Sequence, residues 1–268
     1  MELKLLRSTR DILELITEKT RKPFSFIKKP DLPTLGSIKI ARKSMPSHII
    51  YYRDDNDGIL DHLIAHECGH IYRLWGVPPE DRKMVSSRYE NKRLAMDQIA
   101  SELQRLSNVI PIEKLNKVSD MWFSAMITQV TNIPVDIRIE KWLFDNYPEL
   151  RKSQEISIDR QMKEGAAVLS KRIQDLTPKR IYDASNHINC SFAIAMEKLL
   201  GKKYTAPYMK TPFIKLGTEL ADLVIRTEDK GFNQDIQIIE QWTVMLGLKG
   251  WYEWIDFEDI PPNYLESP

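Results

Sequence analysis

Residues 59–74 read ILDHLIAHECGHIYRL and contain the segment HECGH at residues 66–70. The apolar residues of this stretch recur at the three- and four-residue spacing of a helix, and Gly76 follows as a stop signal. On a helix, residues four apart lie one turn apart on the same face, so the imidazoles of His66 and His70 can converge on one metal ion. The stretch therefore predicts a metal-binding helix.

Glu67 lies between the two histidines and supplies a carboxylate beside the metal. Zinc lowers the pKa of a bound water molecule to about 7, and a neighbouring carboxylate can then take its proton at neutral pH. The H-E-x-x-H spacing thus combines two ligands with a general base, which is typical of zinc hydrolases. We predict Zn²⁺ as the cofactor and Glu67 as the catalytic base. The alternative is a chance match on a structural helix without metal.

A catalytic zinc site needs a third protein ligand, and the sequence offers a pair of carboxylates for this position. Asp136 and Glu140 stand four residues apart in TNIPVDIRIE, residues 131–140, where Thr131 and Pro134 are typical of a helix start. One carboxylate can bind the metal while the other accepts a hydrogen bond from the free N–H of a histidine ligand. The alternative is a solvent-exposed pair on a helix face.

The H-E-x-x-H helix followed by two carboxylates one turn apart on a later helix resembles the gluzincin-type zincin metallopeptidases. The resemblance covers residues 48–140 and implies a zincin-like fold and hydrolysis of peptide bonds. In the family's E-x-x-x-D pattern the first carboxylate binds zinc and the second orients a histidine, which implies Asp136 as ligand and Glu140 as its support. The two residue types are swapped here, and glutamate is the usual ligand, so both remain candidates.

Other ligands and families fit the sequence less well. A metzincin requires a histidine at position 76, which is glycine. Glu90 and Glu102 follow the motif at distances closer to those of ImmA/IrrE-like peptidases, but the expected E-x-x-A-N segment is absent. His62 lies one turn before His66, too far along the helix to share the ion, and we expect it to support the site or to face solvent.

A hydrolase of this kind also needs a donor that stabilises the developing oxyanion, normally a Tyr, His or Arg. His187, Tyr182 and Tyr89 are candidates by residue type alone. For His187 a structural role near a helix start, with hydrogen bonds to its neighbours, is the stronger expectation.

The predicted fold class is mainly α (α+β). A zincin-like domain with a small β-sheet and the active-site helix is expected over residues 1–150, followed by a helical C-terminal subdomain packed on it over residues 151–268. Strands are predicted at residues 37–41 and 48–53, as the only sheet. A strand beside the metal can pair with an extended peptide, which suits a protease.

Helical periodicity covers most of the remaining chain. The aromatic and acidic tail at residues 251–268 is predicted to pack across the body as a cap, with insertion into the cleft as the alternative. The predicted helices are at residues 3–20, 89–106, 111–130, 133–146, 155–175, 181–200, 212–227 and 233–247.

Composition limits the class of protein. With 39 basic and 38 acidic residues the formal charge is +1, which gives no support for a nucleic-acid partner. The sequence shows no signal peptide and no apolar run long enough to span a membrane. Cys68 and Cys190 are the only cysteines and stand far apart, which favours a reducing compartment and predicts a cytoplasmic location.

The predicted function is therefore a zinc-dependent metallopeptidase with a peptide or protein substrate. A regulatory or protein-binding protein that keeps the zincin fold, in an ImmA/IrrE-like role or without catalysis, is the alternative from another class. The sequence leaves the oligomeric state open.

Overall fold

The computed structural model describes residues 3–32, 36–53 and 58–260, and it confirms a mainly helical fold with little β-structure. The helices are α1 (Arg7–Thr20), α2 (Leu60–Leu74), α3 (Tyr89–Gln98), α4 (Ala100–Leu106), α5 (Ile112–Asn146), α6 (Arg151–Ala167), α7 (Lys171–Leu176), α8 (Lys179–Leu200), α9 (Phe213–Arg226) and α10 (Phe232–Met245). The strands are β1 (Phe24–Lys28), β2 (Gly36–Lys39), β3 (His48–Tyr52), β4 (Lys83–Ser86) and β5 (Glu253–Asp256). No helix of the described residues is long and apolar enough to cross a membrane.

The first sheet has three strands in the order β1-β3-β2, with β1 parallel and β2 antiparallel to β3. The two predicted strands are confirmed as β2 and β3, whereas β1 was not predicted. Buried His48 closes the β2–β3 connection, because its Nδ1 accepts a hydrogen bond of 3.0 Å from the backbone N–H of Ala41. This sheet leaves β2 at an edge.

The prediction of a single sheet is wrong, since β4 pairs with β5 in a second, antiparallel sheet. Each of these strands has only four residues, too few for an alternating pattern to stand out. Their partners are also distant in sequence: Lys83 on β4 forms an ion pair with Asp256 on β5, 173 positions away. Only the tertiary fold brings the two strands together.

Helix α5 runs through the predicted joint between residues 130 and 133 as one helix of 35 residues. Thr131 does not cap a new helix, because its Oγ1 donates to the carbonyl oxygen of Ile127 within the same helix at 2.8 Å. Pro134 is buried inside the helix, and the hydrogen bond it cannot donate is outweighed by packing of the apolar face. Two other predicted helices are divided, at Ile99 and after Ala167.

The motif helix α2 crosses α5 at a close contact that a glycine allows. A Cβ atom at Gly69 would lie 2.6 Å from Cγ2 of Ile139, which is closer than real side chains approach. Both residues belong to the buried interface, and Ile139 is in the main hydrophobic core. That core contains residues from both sides of the predicted boundary at residue 150, from Ile12 to Trp251.

A cluster of buried charges ties α2 to α5 and α10. Arg73 on α2 donates from Nε to Asp235 at 2.6 Å, and Arg138 on α5 donates from Nη1 to the same carboxylate at 2.9 Å. Half-exposed Asp229 accepts two further hydrogen bonds from Arg73. The cluster fixes the three helices relative to one another, because a buried guanidinium that loses its carboxylate is strongly destabilising.

The predicted packing of the tail is confirmed for the described part, residues 251–260. Trp251, Tyr252 and Phe257 are buried, and Tyr252 hydroxyl donates to Glu240 on α10 at 3.0 Å. The rest of the predicted tail, residues 261–268, lies outside the described residues.

Candidate metal centre

Three of the predicted ligands meet on one side of the α2–α5 contact. Oδ1 of Asp136 lies 3.3 Å from Nε2 of His66 and 3.2 Å from Nε2 of His70. The two imidazoles are one turn apart on α2, with ring centroids separated by 5.2 Å. These three side chains form one of two groups among the described residues whose ligand atoms are close enough to hold a metal ion.

The donor set fits a tetrahedral zinc ion. Bonds of about 2.0–2.1 Å in tetrahedral geometry place neighbouring ligand atoms about 3.3–3.4 Å apart, close to both separations at Asp136. Oδ1 of Asp136 is buried and lies at ion-pair distance from both imidazole nitrogens, but among the described residues it has no partner with the geometry of a hydrogen bond. A buried carboxylate oxygen without a partner is costly, and a cation between it and the imidazoles would remove that cost.

Glu140 lies on the Nδ1 side of the His66 ring, whereas Asp136 lies on the Nε2 side. Its Oε1 is 2.8 Å from Nδ1 of His66, at hydrogen-bond distance, and its side chain is fully buried. If Nδ1 of His66 donates to Glu140, Nε2 is left unprotonated and can bind a metal. The structure therefore separates the two carboxylates that the sequence left equivalent.

Two residues hold Glu140 in place. Nε2 of His62 lies 2.9 Å from Oε2 of Glu140, and the side-chain amide of Gln154 donates to the same oxygen at 2.6 Å and to the backbone carbonyl of Glu140 at 2.8 Å. Burial by itself would raise the pKa of Glu140, but hydrogen bonds and nearby histidine charge lower it well below its ordinary value. His62, Glu140 and His66 form the second group of potential ligands, here joined as a hydrogen-bond network.

Glu67 lines the same cleft as His66, His70 and Asp136. Burial raises the pKa of the Glu67 carboxyl above its ordinary value, and the charge of Asp136 adds to this rise while the histidines oppose it. Its neighbour Cys68 is fully buried in the main core, and burial raises the pKa of that thiol. Glu67 is thus the carboxylate of the motif, and it has access to the cleft beside the two histidines.

The cleft has a volume of about 770 Å³. One wall is the edge strand β2, residues 36–39, and another is β4 with Trp254 of β5. Residues from both sides of the predicted boundary line it, because Ser157 and Gln161 of α6 line the same cleft as residues of α2 and α5. The helical half of the chain therefore shapes the cleft.

The side chains proposed to stabilise an oxyanion lie outside this cleft. His187 packs edge-on against Phe213, with ring centroids 5.1 Å apart, and Tyr182 hydroxyl donates to the carbonyl oxygen of Leu169. Tyr89 is 73% exposed at the start of α3. None of the three lines the cleft. Their roles are structural or at the surface.

The other acidic candidates also lie elsewhere. Glu90 is exposed in the first turn of α3, and Glu102 accepts a hydrogen bond from the backbone of Lys179 at the start of α8. Neither belongs to a potential metal-binding group among the described residues. Gln154 was not anticipated, and no spacing pattern marks it. His62 was expected either to support the site or to face solvent, and the structure buries it against Glu140.

Comparison of the chain with protein-family models, curated proteins and solved structures gave no match. The side chains of the cleft are therefore the basis for assigning a function.

Proposed function

We propose that this chain is a zinc-dependent metallopeptidase whose metal ligands are His66, His70 and Asp136. The observation that carries the proposal is the buried Oδ1 of Asp136, which lies 3.2 and 3.3 Å from two imidazole nitrogens and has no hydrogen-bond partner among the described residues. Two neutral imidazoles and one carboxylate are a common zinc donor set with an open fourth position. In this arrangement Glu140 supports His66 through Nδ1.

When bound, zinc would act as a Lewis acid towards the peptide carbonyl and would bring the pKa of a water molecule near neutrality. Glu67 lies beside both histidines in sequence and faces the cleft. Its carboxylate takes a proton from the attacking water and returns it to the nitrogen of the departing amine. Glu140 keeps His66 oriented during this transfer.

A peptide is the favoured substrate because β2 forms a wall of the cleft and lies at the edge of its sheet. An extended peptide can add to such an edge through backbone hydrogen bonds, and it then lies along the cleft beside α2. Residues of α2 from His62 to Leu74 line the cleft, so the cleft follows the motif helix over most of its length.

The test uses purified wild type and Glu67→Gln, each loaded with zinc and checked for folding by circular dichroism. We expect one zinc per chain in both proteins by elemental analysis, and hydrolysis of a denatured protein substrate by wild type alone. The loss in Glu67→Gln should be about a hundredfold or more, because general-base catalysis contributes that much.

Three results would contradict the proposal. Absence of zinc after reconstitution would exclude the metal site, and undiminished hydrolysis by Glu67→Gln would exclude Glu67 as the base. Stoichiometric zinc with no hydrolysis of any protein or peptide would instead favour a zincin-like protein that acts by binding.

A further inference from the structure

One basic side chain of the cleft has a hydrogen-bonding atom that the described protein does not satisfy. Arg42 follows β2 by three positions, lines the cleft and is only 6% exposed. Its Nη2 is buried and has no hydrogen-bond partner among the described residues. A guanidinium carries five N–H donors and stays charged at all physiological pH values, so an unsatisfied buried nitrogen is unfavourable.

Arg42 differs from three other basic residues that line the cleft. Each of those three forms an ion pair with a carboxylate of the protein. These pairs are Arg73 with Asp235, Lys83 with Asp256, and Arg160 with Glu164.

The surroundings of Arg42 form an apolar end of the cleft. The backbone N–H of Lys43 donates to the Glu258 carboxylate at 3.0 Å, which places Arg42 next to the turn at residues 257–259. Phe257 of this turn packs with Leu74 and Ile260 in a buried cluster, and all three line the cleft. In such surroundings a charge-assisted hydrogen bond is stronger than in water, and a carboxylate matches the planar fork of arginine.

We propose that Arg42 binds a carboxylate of the peptide substrate, at a subsite separate from the metal. This inference rests on the proposed peptidase function. Arg42 lies beyond the C-terminal end of β2, so a peptide that pairs with β2 would bring a neighbouring part of its chain towards this subsite. The carboxylate comes either from a Glu or Asp side chain or from the C-terminus of the peptide, and the test distinguishes these sources.

The test uses the full-length, zinc-loaded protein and a set of fluorogenic peptides. A single Glu is moved through the positions on each side of the cleaved bond, and each peptide has a matched version with Gln. Every peptide is prepared with a free and with an amidated C-terminus. The enzymes compared are wild type, Arg42→Gln and, as a control at a paired arginine of the same cleft, Arg160→Gln.

We expect wild type to prefer one carboxylate position by about tenfold to a hundredfold in kcat/KM, the range of a buried charge-assisted hydrogen bond. Arg42→Gln should lose this preference, whereas Arg160→Gln should keep it. A preference for Glu over Gln would identify a side-chain subsite, and a preference for the free over the amidated end would identify a C-terminal subsite. Equal rates for all matched peptides in wild type would overturn the inference, as would a preference that survives in Arg42→Gln.

A binding measurement tests the Arg42 subsite independently of peptide hydrolysis. The same peptides are titrated by fluorescence anisotropy into zinc-loaded Glu67→Gln with and without Arg42→Gln. If wild type cleaves no peptide, tighter binding of the carboxylate peptides that depends on Arg42 would still support the subsite. Equal affinity for all matched peptides in that case would overturn it. The comparison of Glu with Gln peptides in wild type needs no Arg42 variant, so the inference stays testable even if Arg42→Gln does not fold.

Discussion

Oε1 of Glu140 lies 2.8 Å from Nδ1 of His66, on the opposite side of the ring from Asp136. The single imidazole of His66 thus contacts one carboxylate through each of its nitrogens. In a metal site this arrangement makes Asp136 the ligand and Glu140 the residue that fixes the tautomer of His66. The two acids, equivalent in sequence, should therefore respond differently to substitution.

The first prediction compares Asp136→Asn with Glu140→Gln, which remove one charge each and keep the side-chain shape. Glu140→Gln should still bind one zinc, with an affinity lower by about 10–100-fold, as for other residues that support a ligand. Asp136→Asn should bind zinc more weakly than Glu140→Gln and fall below one ion per chain after dialysis. Elemental analysis and competition with a chelator measure both quantities. The reverse order of affinities would make Glu140 the ligand.

The second prediction concerns the contact of α2 with α5. Gly69→Ala should lower the free energy of unfolding by about 1–3 kcal/mol, because the new Cβ overlaps Cγ2 of Ile139. Urea denaturation measures the change. The matched control is Gly165→Ala on α6, where a Cβ would be 3.5 Å from Tyr208 hydroxyl, an ordinary contact. This control should be neutral or stabilising by up to about 1 kcal/mol, as expected for Ala over Gly in a helix.

If the overlap with Ile139 is the cause, Ile139→Ala should partly relieve it. In a double-mutant cycle the cost of Gly69→Ala should be smaller in the Ile139→Ala background than in wild type. Additive costs would show that Gly69 matters for another reason.

The third prediction concerns the buried charges of Arg73 and Arg138. Asp235→Asn leaves both guanidinium groups without their shared carboxylate and should destabilise the fold by about 3–5 kcal/mol, the cost of breaking a buried ion pair. Asp229→Asn is the control, because the Asp229 side chain is 49% exposed and solvent can replace it. Equal losses for the two variants in urea denaturation would show that burial at Asp235 does not decide the effect.

The fourth prediction is a pH dependence that comes from His48. This ring is fully buried, and burial followed by the charge of Lys22 lowers its pKa from 6.5 to about 4. The unfolded chain therefore takes up a proton on His48 at higher pH than the folded chain does. The stability that neutral His48 contributes is present above pH 6.5 and is lost as the pH falls towards 4, by up to about 3 kcal/mol.

An NMR titration of the His48 ring should show the neutral form down to about pH 4. In urea denaturation, the stability advantage of wild type over His48→Gln should shrink between pH 6.5 and pH 4, since glutamine does not titrate. A ring pKa near 6.5, or a constant difference between the two proteins, would contradict this account.

The sequence predicted which side chains meet in the cleft better than how they are arranged there. The i, i+4 spacing of His66 and His70 follows from helix geometry alone, and the distance of Asp136 to both rings agrees with it. The choice between Asp136 and Glu140 depends on how α5 is rotated about its axis against α2. That rotation is set by contacts such as Gly69 with Ile139, which lie far apart in sequence.

Residues without a local pattern could not be predicted. Gln154 reaches Glu140 from the next helix along the chain, and no spacing rule links an amide on α6 to a carboxylate on α5. Strands β4 and β5 are each too short to be identified before their pairing is known. The prediction of a helix start at Pro134 was wrong because burial along α5 outweighs the local preference of proline.

The pairing of β4 with β5 has a consequence for biosynthesis. Lys83 and Asp256 are 173 positions apart, so the ribosome makes His66, His70 and Asp136 long before it makes the strand that completes the cleft wall. A nascent chain that already contains these three side chains would lack a finished cleft wall. If the chain is the proposed peptidase, its activity would then arise only after β5 is made, which would protect the emerging polypeptide and its neighbours from premature cleavage.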